Sequence, residues 1–86
     1  MYLHLGNKTV INSNEVIGIF DLDTATVSKR TRDFLSKNEK KNAIVNVSYE
    51  IPNSFVVCND KEKNTKIYFS PVSSMTLNKR AEENFK

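Results

Sequence analysis

The sequence predicts an α+β domain, built from a small antiparallel β-sheet, one amphipathic basic helix and a C-terminal helix. Short segments in both halves of the chain alternate apolar and polar residues with a period of two, which is typical of half-buried strands. Between them, residues 26–41 space their apolar positions as an α-helix does. With 86 residues, the chain has room for a single domain, 1–86, in the order β-β-β-α-β-β-β-α.

The chain opens with the pattern of a β-hairpin. Leu3 and Leu5 alternate with more polar neighbours, and residues 8–11 return as the second strand. Gly6 and Asn7 lie between the two segments, and both residue types accept the positive φ angles that two-residue hairpin turns require. We therefore place the turn at these two residues.

The next apolar run covers residues 16–20 and has no polar face. Such a run is typical of a strand in the middle of a sheet whose two faces are both covered. We therefore expect a central strand here. Gly18 within it predicts a β-bulge or a close backbone approach.

Residues 26–41 form the clearest helical segment. Its apolar stripe, at helical spacing, consists of Val27, Thr31, Phe34 and Leu35. Three residues before or within its first turn are chemically suited to cap it, namely Asp23, Thr24 and Thr26. Asn42 is a plausible terminating residue, since asparagine tolerates the left-handed conformation that ends many helices.

Three further strands and a last helix follow. The strands are predicted at 45–49, 54–58 and 66–69, separated by a break at Ile51-Pro52-Asn53 and by a charged turn at 59–65. Pro71 ends the sheet because proline cannot donate to a strand ladder. Ser73 or Ser74 can cap a final helix over about 75–84, whose apolar positions are sparse.

The chain is poorly supplied for catalysis or metal binding. Cys58 is the only cysteine and His4 the only histidine, so neither an internal disulfide nor a usual zinc site can form. Cys58 lies in an apolar run and is expected to be a small buried hydrophobe. Asp21 and Asp23 are too few to hold a cation and are better explained as helix-capping residues. We therefore expect no enzyme activity, no cofactor and no metal.

Composition predicts self-association. Apolar residues make up 38% of the chain, which is low for a small domain that has neither disulfides nor metals to stabilise it.

No apolar run approaches the ~20 residues needed to span a bilayer. The opening residues are too short to be a signal peptide and lack a basic leader, so we expect a cytoplasmic homo-oligomer.

The positive charge of the chain is concentrated on the predicted helix. The formal net charge is +3. Residues 24–42 hold six basic and two acidic residues, a net of +4, and the remaining chain nets −1. Four of the cations lie opposite or beside the apolar stripe and could contact nucleic-acid phosphates: Lys29, Arg30, Arg32 and Lys37. The alternative is that this is simply a solvated helix face.

Several stretches also carry a family resemblance. They are LGN at 5–7, EVIGIFDLD at 15–23, SKRTRDFL at 28–35, SFVV at 54–57 and YFSPVSSMTLNKR at 68–80. In them the chain resembles the RemB (YaaB-like) branch of the RemA/RemB family, the extracellular matrix regulatory proteins of spore-forming bacteria.

The resemblance implies a small cytoplasmic protein associated with transcription of biofilm matrix genes. For the RemA branch it implies a ring-shaped oligomer that binds DNA through basic residues on its outer surface, with a fold like that of LytTR DNA-binding domains. By position, Lys29 and Arg30 match a Lys-Arg pair of that branch. Glu15 replaces an arginine, and Ile51-Pro52-Asn53 replaces an arginine-rich loop, so two phosphate contacts implied for that branch are absent here.

These observations predict a non-enzymatic, homo-oligomeric regulator that binds the phosphate backbone of double-stranded DNA. The alternative is an oligomeric protein–protein interaction module that does not bind DNA and uses an acidic edge formed by Glu15, Asp21 and Asp23. A third interpretation is a small hydrolase using His4 or Asp21, for which the sequence offers no neighbouring nucleophile.

Overall fold

The structure is a computed structural model that describes residues 1–84. It is an α+β fold with six strands, and its strands are β1 Tyr2–Gly6, β2 Thr9–Asn12, β3 Val16–Asp21, β4 Ile44–Asn46, β5 Ser54–Asn59 and β6 Thr65–Ser70. The helices are α1 Leu22–Ala25, α2 Lys29–Lys40 and α3 Ser74–Asn84. The predicted order of strands and main helices is confirmed, with α1 as an additional short helix.

The main sheet has four strands in the order β3-β5-β6-β4. β5 pairs antiparallel with both β3 and β6, whereas β4 pairs parallel with β6. The expectation of an antiparallel sheet is therefore wrong at β4, and the sheet is mixed. The turn at 47–53 carries the chain from β4 past the end of β6 to β5, so β4 runs in the direction of β6 instead of forming a hairpin with β5.

Strand β5 is buried on both faces and separates two hydrophobic clusters. Val56 and Cys58 contribute to a cluster that the β1–β2 hairpin and α3 cover. Phe55 and Val57 contribute to a second cluster on the opposite face, together with Leu35 of α2. The domain therefore has three layers, with the hairpin and α3 on one side of the sheet and α1 and α2 on the other.

The β1–β2 hairpin is present, but its turn lies one residue later than predicted. Asn7 and Lys8 have positive φ angles of 44° and 66° and form the turn. Gly6 ends β1 at a register irregularity and has a φ of 105°. Since that conformation strains any residue with a side chain, Gly6 serves the bulge instead of the turn.

Strand β3 is an edge strand, so the expectation that residues 16–20 form a central strand is wrong. Ile17 is 61% exposed and Phe20 is 42% exposed, and nothing in residues 1–84 pairs with the free side of β3. The predicted bulge at Gly18 is confirmed, because the register of β3 on β5 shifts between Val16 and Gly18. Residues 16–20 are therefore apolar on both faces of the strand, but Ile17 and Phe20 are not covered by other parts of residues 1–84.

The long helix is shorter than predicted and starts later. Asp21 ends β3 and caps α1 by accepting the backbone N–H groups of Asp23 and Thr24 at 2.9 and 3.3 Å. The chain then bends before α2 begins at Lys29, capped by the backbone of Ser28 without a side-chain bond. The predicted caps Asp23, Thr24 and Thr26 therefore do not cap the long helix.

The buried face of α2 also differs from the predicted stripe. Val27 precedes the helix and is exposed, and Phe34 is 40% exposed. The buried positions of α2 are Leu35 and Asn38, and the side-chain amide of Asn38 donates to the carbonyl of Phe34 at 2.8 Å. The predicted stop at Asn42 is confirmed, since its φ is 58° and it follows the last helical turn.

The second half of the chain follows the prediction closely, apart from the fourth strand. β5, β6 and α3 lie within one or two residues of their predicted bounds, and Ser73 caps α3 by accepting the N–H of Thr76 at 3.2 Å. β4 is shorter than predicted, although Val47 still donates to the carbonyl of Phe69. Beyond it the chain leaves the sheet, which leaves Tyr49 fully exposed.

Replacing Gly18 with alanine is expected to displace the ring of Phe20. A Cβ atom at Gly18 would lie 2.7 Å from two ring carbons of Phe20, and that ring stacks on Phe55 at a centroid distance of 5.1 Å. We expect the free energy of unfolding to fall by about 1 kcal/mol, measured by urea denaturation. In a Phe20→Leu background the ring is already gone, so Gly18→Ala should then cost little. An equal loss in both backgrounds would contradict the assignment.

Candidate nucleic-acid interface and the adjoining groove

All four predicted phosphate contacts lie on α2 and are exposed to solvent: Lys29, Arg30, Arg32 and Lys37. Leu35 packs the helix against the sheet, so its outer face is left to the charged side chains. The predicted exposure of this basic face is confirmed, and its contact with DNA stays a prediction. What the arrangement offers chemically is a set of cationic donors on one helix, with the exposed carboxylate of Asp33 one turn from both Lys29 and Lys37.

Arg32 has a structural task that the sequence did not reveal. Its Nη1 donates to the carbonyls of Thr26 and Val27 at 2.8 and 2.9 Å. These bonds tie the guanidinium to the bend between α1 and α2. Because arginine has five N–H donors in a fixed plane, the remaining donors of Arg32 can still face an anion, now from a defined position.

Arg30 lies at the boundary between the basic face and an apolar groove. The groove has a volume of about 320 Å³ and runs between β3 and α2. Ile17 and Phe20 of β3 form one wall, Arg30 and Phe34 of α2 form the other, and the remaining lining residues are Thr31, Phe55 and Val57. We call this feature the β3–α2 groove. Sequence reasoning missed it, because it depends on β3 lying at the edge beside α2.

A second group of cations lies at the far end of α2. A depression of about 440 Å³ is lined by Lys41 after the helix, by Lys63 of the β5–β6 turn and by Lys66 of β6, and no acidic side chain is among its lining residues in the described chain. Asp60 holds this turn by accepting two backbone N–H groups at 2.9 Å. Those hydrogen bonds lower the pKa of the Asp60 carboxyl. The basic surface thus extends beyond the four predicted residues.

The proposed acidic edge is divided in the structure. Glu15 precedes β3 and Asp21 ends it, so the two carboxylates lie at opposite ends of the strand. Asp21 is also engaged as the cap of α1, so the capping interpretation holds for Asp21, whereas Asp23 lies in the first turn of α1. Among residues 1–84 no group of three or more potential metal ligands occurs.

Cys58 has the character of a core residue. It is 4% exposed within the cluster beneath the hairpin. Burial, and secondly the negative charge of Glu15, raise the pKa of the Cys58 thiol to about 11. His4 lies on the exposed face of β1, away from Cys58. These two residues do not form a nucleophile–base pair.

No helix in the described part of the chain is long and apolar enough to span a membrane.

Two comparisons with known proteins match the same family. The family model described as RemA-like, extracellular matrix regulatory protein A-like, matches residues 2–81. The extracellular matrix regulatory protein B of Bacillus subtilis (strain 168) is 39% identical over 82 residues, which make up 95% of this chain and 91% of that protein. The match includes the whole of α2, the β3–α2 groove and most of α3.

Cys58 is expected to be nearly inert to thiol reagents in the native protein. A pKa of about 11 leaves roughly a hundredfold less thiolate at pH 8 than an ordinary cysteine has, and burial blocks access as well. Labelling with Ellman's reagent at pH 8 should therefore be at least about a hundredfold slower in buffer than in denaturant. Equal rates in the two conditions would show that Cys58 is not part of the core.

Proposed function

Because the chain belongs to the RemA-like family of extracellular matrix regulatory proteins, we propose that it is a non-enzymatic, homo-oligomeric, DNA-binding regulator of transcription. Its targets in this proposal are biofilm matrix genes, and its place is the cytoplasm. The proposal includes the LytTR-like fold and the closed ring that the family resemblance implies. The observation that carries it is the basic outer face of α2.

The basic face suits the DNA backbone better than the base edges. Lys29, Arg30, Arg32 and Lys37 are spread along the exposed side of one helix, where each can neutralise a phosphate and release its condensed counterions. The one aromatic residue of α2, Phe34, lines the β3–α2 groove, so the helix offers no series of aromatic side chains for stacking on successive unpaired bases. Double-stranded DNA contacted through phosphates is therefore the favoured ligand, with modest sequence preference.

Self-association gives this weak surface its affinity. A single helix offers only a few phosphate contacts, and the arginines expected at position 15 and at 51–53 are absent. An oligomer that presents several copies of α2 to one duplex multiplies the contacts. The open β3–α2 groove, lined by the exposed Ile17, Phe20 and Phe34, is the kind of apolar surface that a subunit interface covers.

One observation also favours the alternative of a protein-interaction module. The same groove is apolar, and an oligomer could present it to another protein without touching DNA. The two functions differ in their ligand and in their dependence on α2. Binding of duplex DNA at low salt therefore separates them.

The direct test is fluorescence anisotropy with labelled duplex DNA over a salt series. The logarithm of the association constant should fall linearly with the logarithm of the salt concentration, by about 0.9 per phosphate contact. The double substitution Lys29→Glu/Lys37→Glu should lower that slope by about 2 for each subunit engaged on the duplex. These two lysines lie outside the groove, so assembly is left intact.

The matched control is Lys8→Glu/Lys79→Glu, which changes the net charge equally on the hairpin and α3, on the other side of the sheet. We expect it to keep the slope of the unmodified protein. A slope near zero, or equal losses in both variants, would contradict the proposal. Absence of duplex binding at low salt would favour the interaction module instead.

A further inference from the structure

The chain exposes a second apolar feature besides the groove. It is the segment Tyr49-Glu50-Ile51 after β4, in which Tyr49 is completely exposed and Ile51 is 85% exposed. Neither side chain lines the β3–α2 groove. Two large apolar side chains that are this exposed and only two residues apart are typical of a contact surface.

The groove and this segment are separate in the molecule. The groove lies between β3 and α2. The segment lies at the end of the sheet, in the connection from β4 to β5, and Asn53 in that connection donates to the carbonyl of Ser70 and accepts the N–H of Leu22. Since Tyr49 and Ile51 remain exposed and neither lines the groove, the two features do not cover each other within one molecule, and a second copy of the chain can bring them together.

Their charges are complementary. Glu50 is exposed between Tyr49 and Ile51, and Arg30 forms part of the groove wall. The apolar side chains of the segment thus match the apolar walls of the groove, and its one carboxylate matches the one cation in the groove wall. Charge complementarity of this kind sets the register of an interface and disfavours other partners.

We propose that Tyr49-Glu50-Ile51 of one copy docks in the β3–α2 groove of the next, with Glu50 paired to Arg30. The inference rests on the self-association included in the proposed function and names the surfaces that carry it. Because each copy contributes a different surface, the contact is head-to-tail, and repeated copies close into a ring or extend as a filament.

The pairing also fixes where the basic helices stand. Arg30 belongs to α2, so each contact between copies holds one α2 at a constant position relative to the neighbouring subunit. The five donors of Arg30 allow one side of the guanidinium to hold Glu50 while another faces a phosphate. Assembly then presents Lys29 and Lys37 at regular intervals along a bound duplex.

The test uses two variants, one with the groove blocked and one with the docking segment blocked. Ile17→Glu places a charge in the groove, and Tyr49→Glu places one in the docking segment; both positions are exposed, so the fold should be retained, which circular dichroism checks. By light scattering, each variant alone should be a monomer under conditions in which the unmodified chain assembles. Mixed in equal amounts, they should form a 1:1 dimer and nothing larger, because one intact groove meets one intact segment.

Met75→Glu is the matched control, since Met75 is 81% exposed, between Ile17 and Tyr49 in exposure, but lies on α3. It should assemble as the unmodified chain does. A charge exchange adds a second measurement. Arg30→Glu and Glu50→Arg alone should each weaken assembly by about fivefold in dissociation constant, and together they should restore it.

The outcomes separate this inference from the proposed function. Assembly of both Ile17→Glu and Tyr49→Glu would overturn the pairing. So would a mixture that stays monomeric, because an interface between two grooves, unlike a head-to-tail one, is not rescued by mixing. A monomeric unmodified chain would remove self-association itself, whereas an unmodified chain that assembles but does not bind duplex DNA at low salt would affect only the DNA-binding proposal.

Discussion

The burial of β5 on both of its faces is the constraint on which the rest of the structure depends. Phe55 and Val57 face the helices α1 and α2, while Val56 and Cys58 face the hairpin and α3. A strand buried on both sides needs a layer on each side, and in a chain of 86 residues neither layer can be thick. Fewer side chains are buried between the sheet and the α1–α2 layer than between the sheet and the layer of the hairpin and α3. The space left open between α2 and β3 is the β3–α2 groove.

This thin layer explains why the charged surface and the apolar groove are neighbours. α2 buries only Leu35 and Asn38, so most of its surface is free for cations on the outside and for the groove on the β3 side. Arg30 stands between the two. In the proposed assembly one helix therefore serves both functions, and DNA affinity depends on how many copies of α2 are aligned.

Much of the fold could be predicted because it depends on local chemistry. Alternation identified the hairpin strands, the apolar run identified β5, and Asn42 identified the end of α2 through its tolerance of positive φ.

The errors concern non-local features. Residues 16–20 look buried from composition, yet their strand is at an edge, and Val27 fits the helical stripe but precedes the helix. Exposure of the site cations followed from helical periodicity. The groove could not be predicted, since it needs the pairing of β3 with β5 and the position of α2 over both.

The central claim is that DNA binding depends on assembly through the β3–α2 groove. The most direct measurement compares the salt dependence of duplex binding for Ile17→Glu with that for Met75→Glu, which adds the same charge at a position away from the groove. We expect a steep slope for Met75→Glu, as for the unmodified chain, and a much shallower one for Ile17→Glu, because a single α2 neutralises only about three or four phosphates. Equal slopes for the two variants would contradict it.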